Sequence, residues 1–530
     1  MFFMKNSKFV LFRLVTFFCI CALALPSWLL SGHIALAHSD MGTMIMTQQP
    51  WYMLVQWEVI VALVAAVLLI YALIKIVSRK LQTVDLLDYY NLRAFVKSKW
   101  YPRVFQIPIL FGFIAIGSYL FFGPQTYGEN PGSILVWTFW WALLPFSFVL
   151  VGRLWCAVCP FALISDFVQK HFGRQKKIPP WLGKYSYWIV DLIFIFITWF
   201  DRVFGMTEHP ALTGMIFLGL FAGVVVCGFL YERRAFCRYI CFLGNVAGNY
   251  SMVAPMELVS KNPEVCKSCK EKFCFFGRGK QAGCPFYQVI PVKDGNRFCA
   301  LCANCVKSCP HDNIALALRP FGSDFWEKTV TRFEESFFAK ILVGIVIIQN
   351  IGMLSLWDSI SSFISSVTGI VDEKILFTMI YFLTMALPVS LMFITSYISA
   401  KAGKENTLQN FARFGYAFIA VDLAGHLAHN LNHLLGEGKT VLAAIAGIFS
   451  GKAQQFLEVS VLNAPTINVL QYGILSLGFL GTFFITYRIA KKKAQTKAEI
   501  IKTMLPHLVL LFGLMLLNFY IFSIPMHHRS

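Results

Sequence analysis

Cys266-x2-Cys269-x4-Cys274-x9-Cys284-Pro285, followed by Cys299-x2-Cys302-x2-Cys305-x3-Cys309-Pro310, is the stretch on which the reading of this chain turns. In the second run, three thiolates on one tight loop can grip three irons of a [4Fe-4S] cube, while a fourth cysteine placed before a proline reaches across to a second cube. The spacing therefore predicts one ligand set of Cys299, Cys302, Cys305 and Cys284, and another of Cys266, Cys269, Cys274 and Cys309. Zinc competes for such residues because paired Cys-x2-Cys units suit a tetrahedral ion, but it has no need of a three-cysteine run ending in Cys-Pro. The longer gaps before Cys274 and Cys284 enlarge a loop without deleting a ligand, so two cubane clusters are expected.

Outside this stretch the chain is apolar. Of 530 residues, 57% are hydrophobic and 14% charged, with a mean hydropathy of +0.63, which is far from the composition of a soluble domain. The fold class expected is mainly α, a polytopic membrane protein. Ten runs have spanning length, roughly 51–76, 104–122, 133–151, 186–206, 212–231, 337–357, 375–400, 411–435, 463–488 and 503–524. Ahead of them, Met1 to Ala37 has a basic start (Lys5, Lys8, Arg13), an apolar stretch and Ala35-x-Ala37, and reads either as a secretory signal or as an uncleaved anchor. Either reading leaves His38 outside. Lys75, Arg79, Lys80, Arg93, Lys97, Lys99 and Arg103 then mark the first inner connection, whereas Gly123 to Ser133 carries no Lys or Arg.

By this count the chain is a multi-pass protein of a bacterial-type inner membrane, with Glu232 to Leu342 on the cytoplasmic side. Its parts are 1–37, the signal or anchor; 38–231, spans one to five; 232–320, a cytoplasmic two-cluster domain inserted between the fifth and sixth spans; and 321–530, spans six to ten. A reducing compartment favours metal ligation over disulfides. The net charge of +19 is a topology signal in contact with membrane lipid, and no nucleic-acid reader motif accompanies it. Lys267, Lys270, Lys272, Arg278 and Lys280 form either a solvated basic face near anionic lipid or a dock for an acidic redox partner. No Walker loop is visible, which argues against an ATP-driven pump.

A second cysteine pattern is repeated. Arg153-Leu154-Trp155-Cys156-Ala157-Val158-Cys159-Pro160 and Arg234-Ala235-Phe236-Cys237-Arg238-Tyr239-Ile240-Cys241 each follow a two-helix hairpin, as in an internal duplication. Cys156, Cys159, Cys237 and Cys241 are candidate redox thiols at the inner membrane edge, as ligands of a further centre, as a dithiol/disulfide couple, or as packing residues. Cys19, Cys21 and Cys227 stand singly in apolar segments and read as packing residues.

The second run, Cys299 to Pro310, matches the bacterial ferredoxin signature, and the eight-cysteine stretch together with the two edge loops resembles the NapH/NosR/CcoG group of membrane polyferredoxins over roughly Phe105 to Pro320. The resemblance implies a membrane-bound iron–sulfur electron carrier that supports a periplasmic reductase, as a quinol dehydrogenase subunit would, or that serves metalloenzyme assembly. Members commonly carry Cys-x3-Cys-Pro in both loops; here the first is Cys-x2-Cys-Pro, and Phe242 replaces the proline of the second. The stretch from His38 to Pro50 leaves no room for the flavin-binding periplasmic domain of the NosR type. The C-terminal helices exceed what the smallest members need and suggest an added function.

Within those helices, Asp422, His426, His429 and His433 fall at i, i+4, i+7 and i+11 on one helical face. Ionisable residues inside a membrane are costly enough to be functional candidates by default. Haem b ligation, a quinone pocket with proton exchange, or a transition-metal site would each suit the stripe, as would plain hydrogen bonding between helices. Asp191 is a second candidate for proton handling. Imidazole and thioether also suit copper, and His38, Met41, Met44, Met46, Met526, His527 and His528 offer them at the termini. The leading expectation is electron transfer between a cytoplasmic donor or the quinone pool and a periplasmic or intramembrane acceptor, with donor and acceptor proteins unidentified. The alternative is a copper or metal reductase serving metalloenzyme maturation.

Overall fold

The structure, a computed structural model, describes residues 84–327, 330–450 and 460–524. The first predicted span 51–76, the segment Met1 to Ala37 with Cys19 and Cys21, and the terminal His and Met residues lie outside the described residues. A helix stands at each of the other nine predicted segments. The elements used below are α1 (Arg103–Phe122), α2 (Ala142–Val151), α3 (Trp155–Val158), α4 (Pro160–Phe172), α5 (Pro180–Phe204), α6 (Pro210–Leu230), α7 (Ala235–Tyr239), α8 (Phe242–Ser251), β1 (Met256–Ser260), β2 (Ile314–Leu318), α9 (Phe333–Ile351), α10 (Glu373–Gly403), α11 (Ile419–Gly436), α12 (Ala464–Lys493) and α13 (Lys497–Ser523). Pro160, Pro180 and Pro210 open their helices at the first position, where a missing N–H leaves no hydrogen bond unmade.

Among the described residues, six stretches are long and apolar enough to cross a membrane: α1, the broken run Pro131–Phe172, α6, α10, α12 and α13. The protein is therefore a mainly α, multi-pass membrane protein. Three predicted spans, α5, α9 and α11, fall short of that criterion. They carry the buried polar side chains Asp191, Glu335, Lys340, Asp422 and the histidines, which protein neighbours tolerate and lipid does not. The predicted segment 411–435 is also broken, by a tighter turn at Tyr416–Phe418 ahead of α11. Helices Leu356–Thr368 and Gly438–Ser450 have no counterpart among the predicted segments.

The C-terminal bundle packs α11 on α12, α9 on α10, and α13 on both α10 and α12. Gly478 makes the α11–α12 approach possible, because a Cβ there would lie 2.2 Å from the Cβ of Ala424. Gly478→Val is expected to overpack this seam at a cost of about 1–3 kcal/mol. The check is the thermal unfolding midpoint in detergent against Gly473→Val, whose position in the same helix faces open space.

Between the two helical regions, β1 and β2 pair antiparallel with Met256 opposite Leu318 and Ser260 opposite Ile314. The core of this small module contains Leu258, Ile290, Leu301, Val306 and Ile314, but also Leu87, Val96 and Tyr101 from the chain before α1. Tyr101 donates its hydroxyl hydrogen to the Leu301 carbonyl at 2.7 Å, and Lys97 and Arg93 pair with Asp312. Burial works against the Asp85 carboxylate. The Lys261 ammonium and the Leu87 and Leu316 amides outweigh it and hold the group below the usual carboxylate range.

Candidate iron–sulfur and histidine sites

The ligand loops of the module are short helical turns joined by backbone that few residues adopt. Leu301 and Ala303, on either side of Cys302, have φ of 53° and 60°, which turns the chain sharply around that thiol. Cys266, Cys269, Cys274 and Cys309 line one cavity of about 30 Å³ with Phe273, Ile290 and Ile314. Cys302 and Cys305 lie within electrostatic reach of Cys284 and Cys299, forming a second group of four. The two groups meet where Cys305 approaches Cys274.

Amide hydrogens point at these sulfurs. Asn313 N and Gln288 N each lie 3.4 Å from Cys309 Sγ and Cys284 Sγ respectively, and Asn313 Nδ2 lies 3.3 Å from Cys266 Sγ. Donors of this kind stabilise thiolate charge and tune a cluster. Burial pushes the Cys302 thiol up to about 12 against the opposing pull of Arg234, so the cationic irons of a cluster would supply the charge needed to hold it as thiolate. Among the described residues no group of three or more His, Cys, Asp or Glu side chains is arranged to hold a metal ion. Sulfur donors with amide hydrogens aimed at them are surroundings that fit a cluster.

The four edge thiols, over eighty residues apart in sequence, also converge. Cys159 reaches Cys156 and Cys241, and Cys237 reaches all three of the others. Arg234 stands between this group and the module: it pairs with Asp166, donates to the Cys156 carbonyl at 3.3 Å, and lies within electrostatic reach of Cys302. Cys227 is buried against Val224 and Phe236.

Next to the edge loops lies a cavity of about 90 Å³. It is lined by Phe161, Phe242 and Leu243, neighbours in sequence of Cys159 and Cys241, and by Trp137, Trp140 and Trp141, from a stretch wound wider than an α-helix. His429 and His433 complete it with Asp201 and Thr213. The Asn350 side-chain oxygen lies 3.0 Å from His429 Nδ1, and the Glu437 carboxylate lies 2.8 Å from His433 Nδ1. Each acceptor favours the tautomer with hydrogen on Nδ1.

The stripe is therefore two sites rather than one. Asp422 and His426 face Tyr250 of α8, whose hydroxyl donates to Asp422 at 3.1 Å and lies 3.0 Å from His426 Nδ1. Buried Lys340 lies over the Phe418 ring at 4.1 Å, within electrostatic reach of Asp422. His429 and His433 stand on one face of one helix with ring centroids 5.0 Å apart, so they cannot clasp a porphyrin between them. Asp191 accepts a hydrogen bond from Asn245 at 2.9 Å inside the network that ties α5 to α8.

A family model described as a 4Fe-4S binding domain matches residues 133–179 and 213–253. Those residues contain Cys156, Cys159, Cys237 and Cys241 and none of the eight module cysteines. The candidate electron transport protein YccM of Escherichia coli (strain K12) is 26% identical over 185 residues, covering 31% of this chain and 50% of that protein. The chain thus spans about half the length of this curated relative. No solved structure matches. Both findings support an iron–sulfur electron-transfer protein, and neither singles out the NapH/NosR/CcoG group.

Several participants had no signal in the sequence. Tyr250, Lys340, Asn350 and Glu437 look ordinary in isolation, and only Lys340, a lone cation within an apolar run, could have been picked out by the cost of burying it.

Proposed function

We propose that the protein is an electron carrier of a bacterial inner membrane that exchanges electrons between a quinone in the tryptophan- and histidine-lined cavity and two [4Fe-4S] clusters in a cytoplasmic module. The observation that carries this reading is the cavity's lining, which joins residues next to Cys159 and Cys241 to His429 and His433. An aromatic cleft with a few convergent polar groups suits a lipid-soluble ring. Oxidising a quinol releases two protons and two electrons; His429 and His433 are the imidazoles that line the cavity and would take the protons, and reduction runs the same exchange backwards. The clusters, held by Cys299, Cys302, Cys305 and Cys284 and by Cys266, Cys269, Cys274 and Cys309, would accept or supply electrons one at a time. The hydrocarbon core is about 30 Å thick, so electrons need stations between the cavity and the far side of the module, and the edge thiols and the two groups of module cysteines are the redox-competent candidates for them.

The test uses full-length protein in nanodiscs under anaerobic conditions, with cluster absorbance followed after adding a short-chain quinol, and after adding the quinone to reduced protein. Exchange in at least one direction is expected, and His429→Leu/His433→Leu should slow it on the order of 10²-fold, as for loss of a general base, with iron content unchanged. Clusters that exchange electrons with soluble reductants but with no quinone would refute the reading.

A further inference from the structure

We propose that polar side chains buried in the C-terminal bundle form a proton path across the membrane, which meets the cavity at His429 and His433. At one end the exposed Lys493, at the close of α12, and Arg413 hold the buried Glu405 carboxylate. Asn410 donates to Glu405 at 2.6 Å, and its side-chain oxygen lies 3.0 Å from His507 Nε2. The His507 ring is stacked on Phe414 and lies within electrostatic reach of Lys340. Lys340 is in turn within reach of Asp422, which the Tyr250 hydroxyl joins to His426. From there α11 carries the line past His429 to His433. The Glu437 carboxylate, beside His433 Nδ1, accepts from Thr138 at 3.0 Å, and the Thr138 hydroxyl is 2.7 Å from that of Tyr127. Lys493 belongs to the lysine cluster expected inside, and Tyr127 to the stretch from Gly123 to Ser133, without Lys or Arg, expected outside.

A row of polar groups could serve only to tie helices together. The joints of this row argue for more. Among the described residues, His507 Nδ1, Lys340 Nζ, Asp422 Oδ1, His426 Nε2 and Asn430 Oδ1 are buried with no hydrogen-bond partner. Groups kept for tying alone would be paired, since each buried polar atom left unpaired costs stability. These atoms fall where the line is interrupted: between His507 and Lys340, between Lys340 and Asp422, and beyond His426, whose carbonyl accepts from Asn430 one turn on. Beside Asp422, a cavity of about 10 Å³ shared with Gly425 and Asn518 has room for about one water. A proton crosses such a joint when an imidazole or an ammonium turns, or by way of a water. Each group gives up one proton as it takes another, so one proton leaves at the far end for each that enters, and no bond changes in sum. The line therefore moves protons at the pace of side-chain rotation, unlike an open pore. That it serves a quinone rests on the function proposed above; that it conducts does not.

The experiment places the full-length protein in liposomes with a pH-sensitive dye trapped inside and drives protons with a valinomycin-clamped potassium gradient, with no quinone or reductant present. Proton entry faster than into protein-free liposomes is expected. Asp422→Asn, which keeps the shape and the Tyr250 hydrogen bond, and Lys340→Met should each slow the protein-dependent entry on the order of 10²-fold, as for loss of a proton-transferring side chain, with iron content unchanged. Wild-type entry no faster than in protein-free liposomes overturns the proposal, and so does equal entry in wild type and both variants. The comparison of wild type with protein-free liposomes stands whether or not the variants fold. Either failure leaves quinol reduction of the clusters untouched, whereas a protein that conducts protons but exchanges electrons with no quinone overturns the earlier reading alone.

Discussion

Cys302→Ala is expected to remove one cluster from the module, about four irons per chain, and to lower quinol-linked reduction of the remaining iron–sulfur signal to under about one hundredth of the wild-type rate. The reason is position. Cys302 is buried, is flanked by left-handed backbone, and is the module thiol nearest in charge interaction to Arg234, which also contacts the edge loop through the Cys156 carbonyl. On the proposed route it belongs to the entry station of the module, so its loss would break the relay instead of shortening it. Cys269→Ala should also cost about four irons, but from the far group, and should leave the first module cluster reducible by quinol. Iron analysis with stopped-flow absorbance separates the two variants. Equal rates in wild type and Cys302→Ala would show that electrons do not pass through this group.

Arg297→Leu is expected to be the most damaging single change to stability, at about 3–5 kcal/mol. Arg297, two residues before Cys299, is 1% exposed and pairs through Nε with Glu335 of α9 at 3.0 Å, where the carboxylate is fully buried. Its remaining nitrogens donate to Asn245 and Asn249 of α8, and Tyr187 and Tyr416 donate to Glu335. The arginine thus ties the cluster module to both helical regions. Removing it leaves a fully buried carboxylate beside the exposed Arg332, 3.8 Å away, in place of its buried counter-charge, whereas removing both partners takes away the buried charge as well. The Arg297→Leu/Glu335→Leu variant should therefore recover much of the loss. Denaturant unfolding in detergent and limited proteolysis near the module measure both; a double variant no better than the single one would place the damage in packing rather than charge.

The parts of this protein that were legible in its sequence rest on local physics. The eight-cysteine spacing speaks of iron because a cluster loop is built within a few residues, and the apolar runs speak of a membrane because backbone in lipid must satisfy itself within each helix. The breaks at Tyr416–Phe418 and at Leu135–Trp141 were not legible, since they follow from how the neighbouring helices pack. The periodicity of Asp422, His426, His429 and His433 marked a common face correctly, but a face does not name its partners.

The sequence by itself determined the chemistry on offer: thiols at cluster spacing, a duplicated cysteine loop, imidazoles one turn apart, and a chain that belongs in lipid. Tertiary structure decided what those groups can do together. It alone joins Cys156 and Cys159 to Cys237 and Cys241, sets Tyr250 between Asp422 and His426, and brings His429 and His433 to a cavity lined also by sequence neighbours of Cys159 and Cys241. Those contacts link residues roughly eighty to two hundred and seventy positions apart, and no local rule of spacing or propensity reaches that far; packing of one helix on another supplies them.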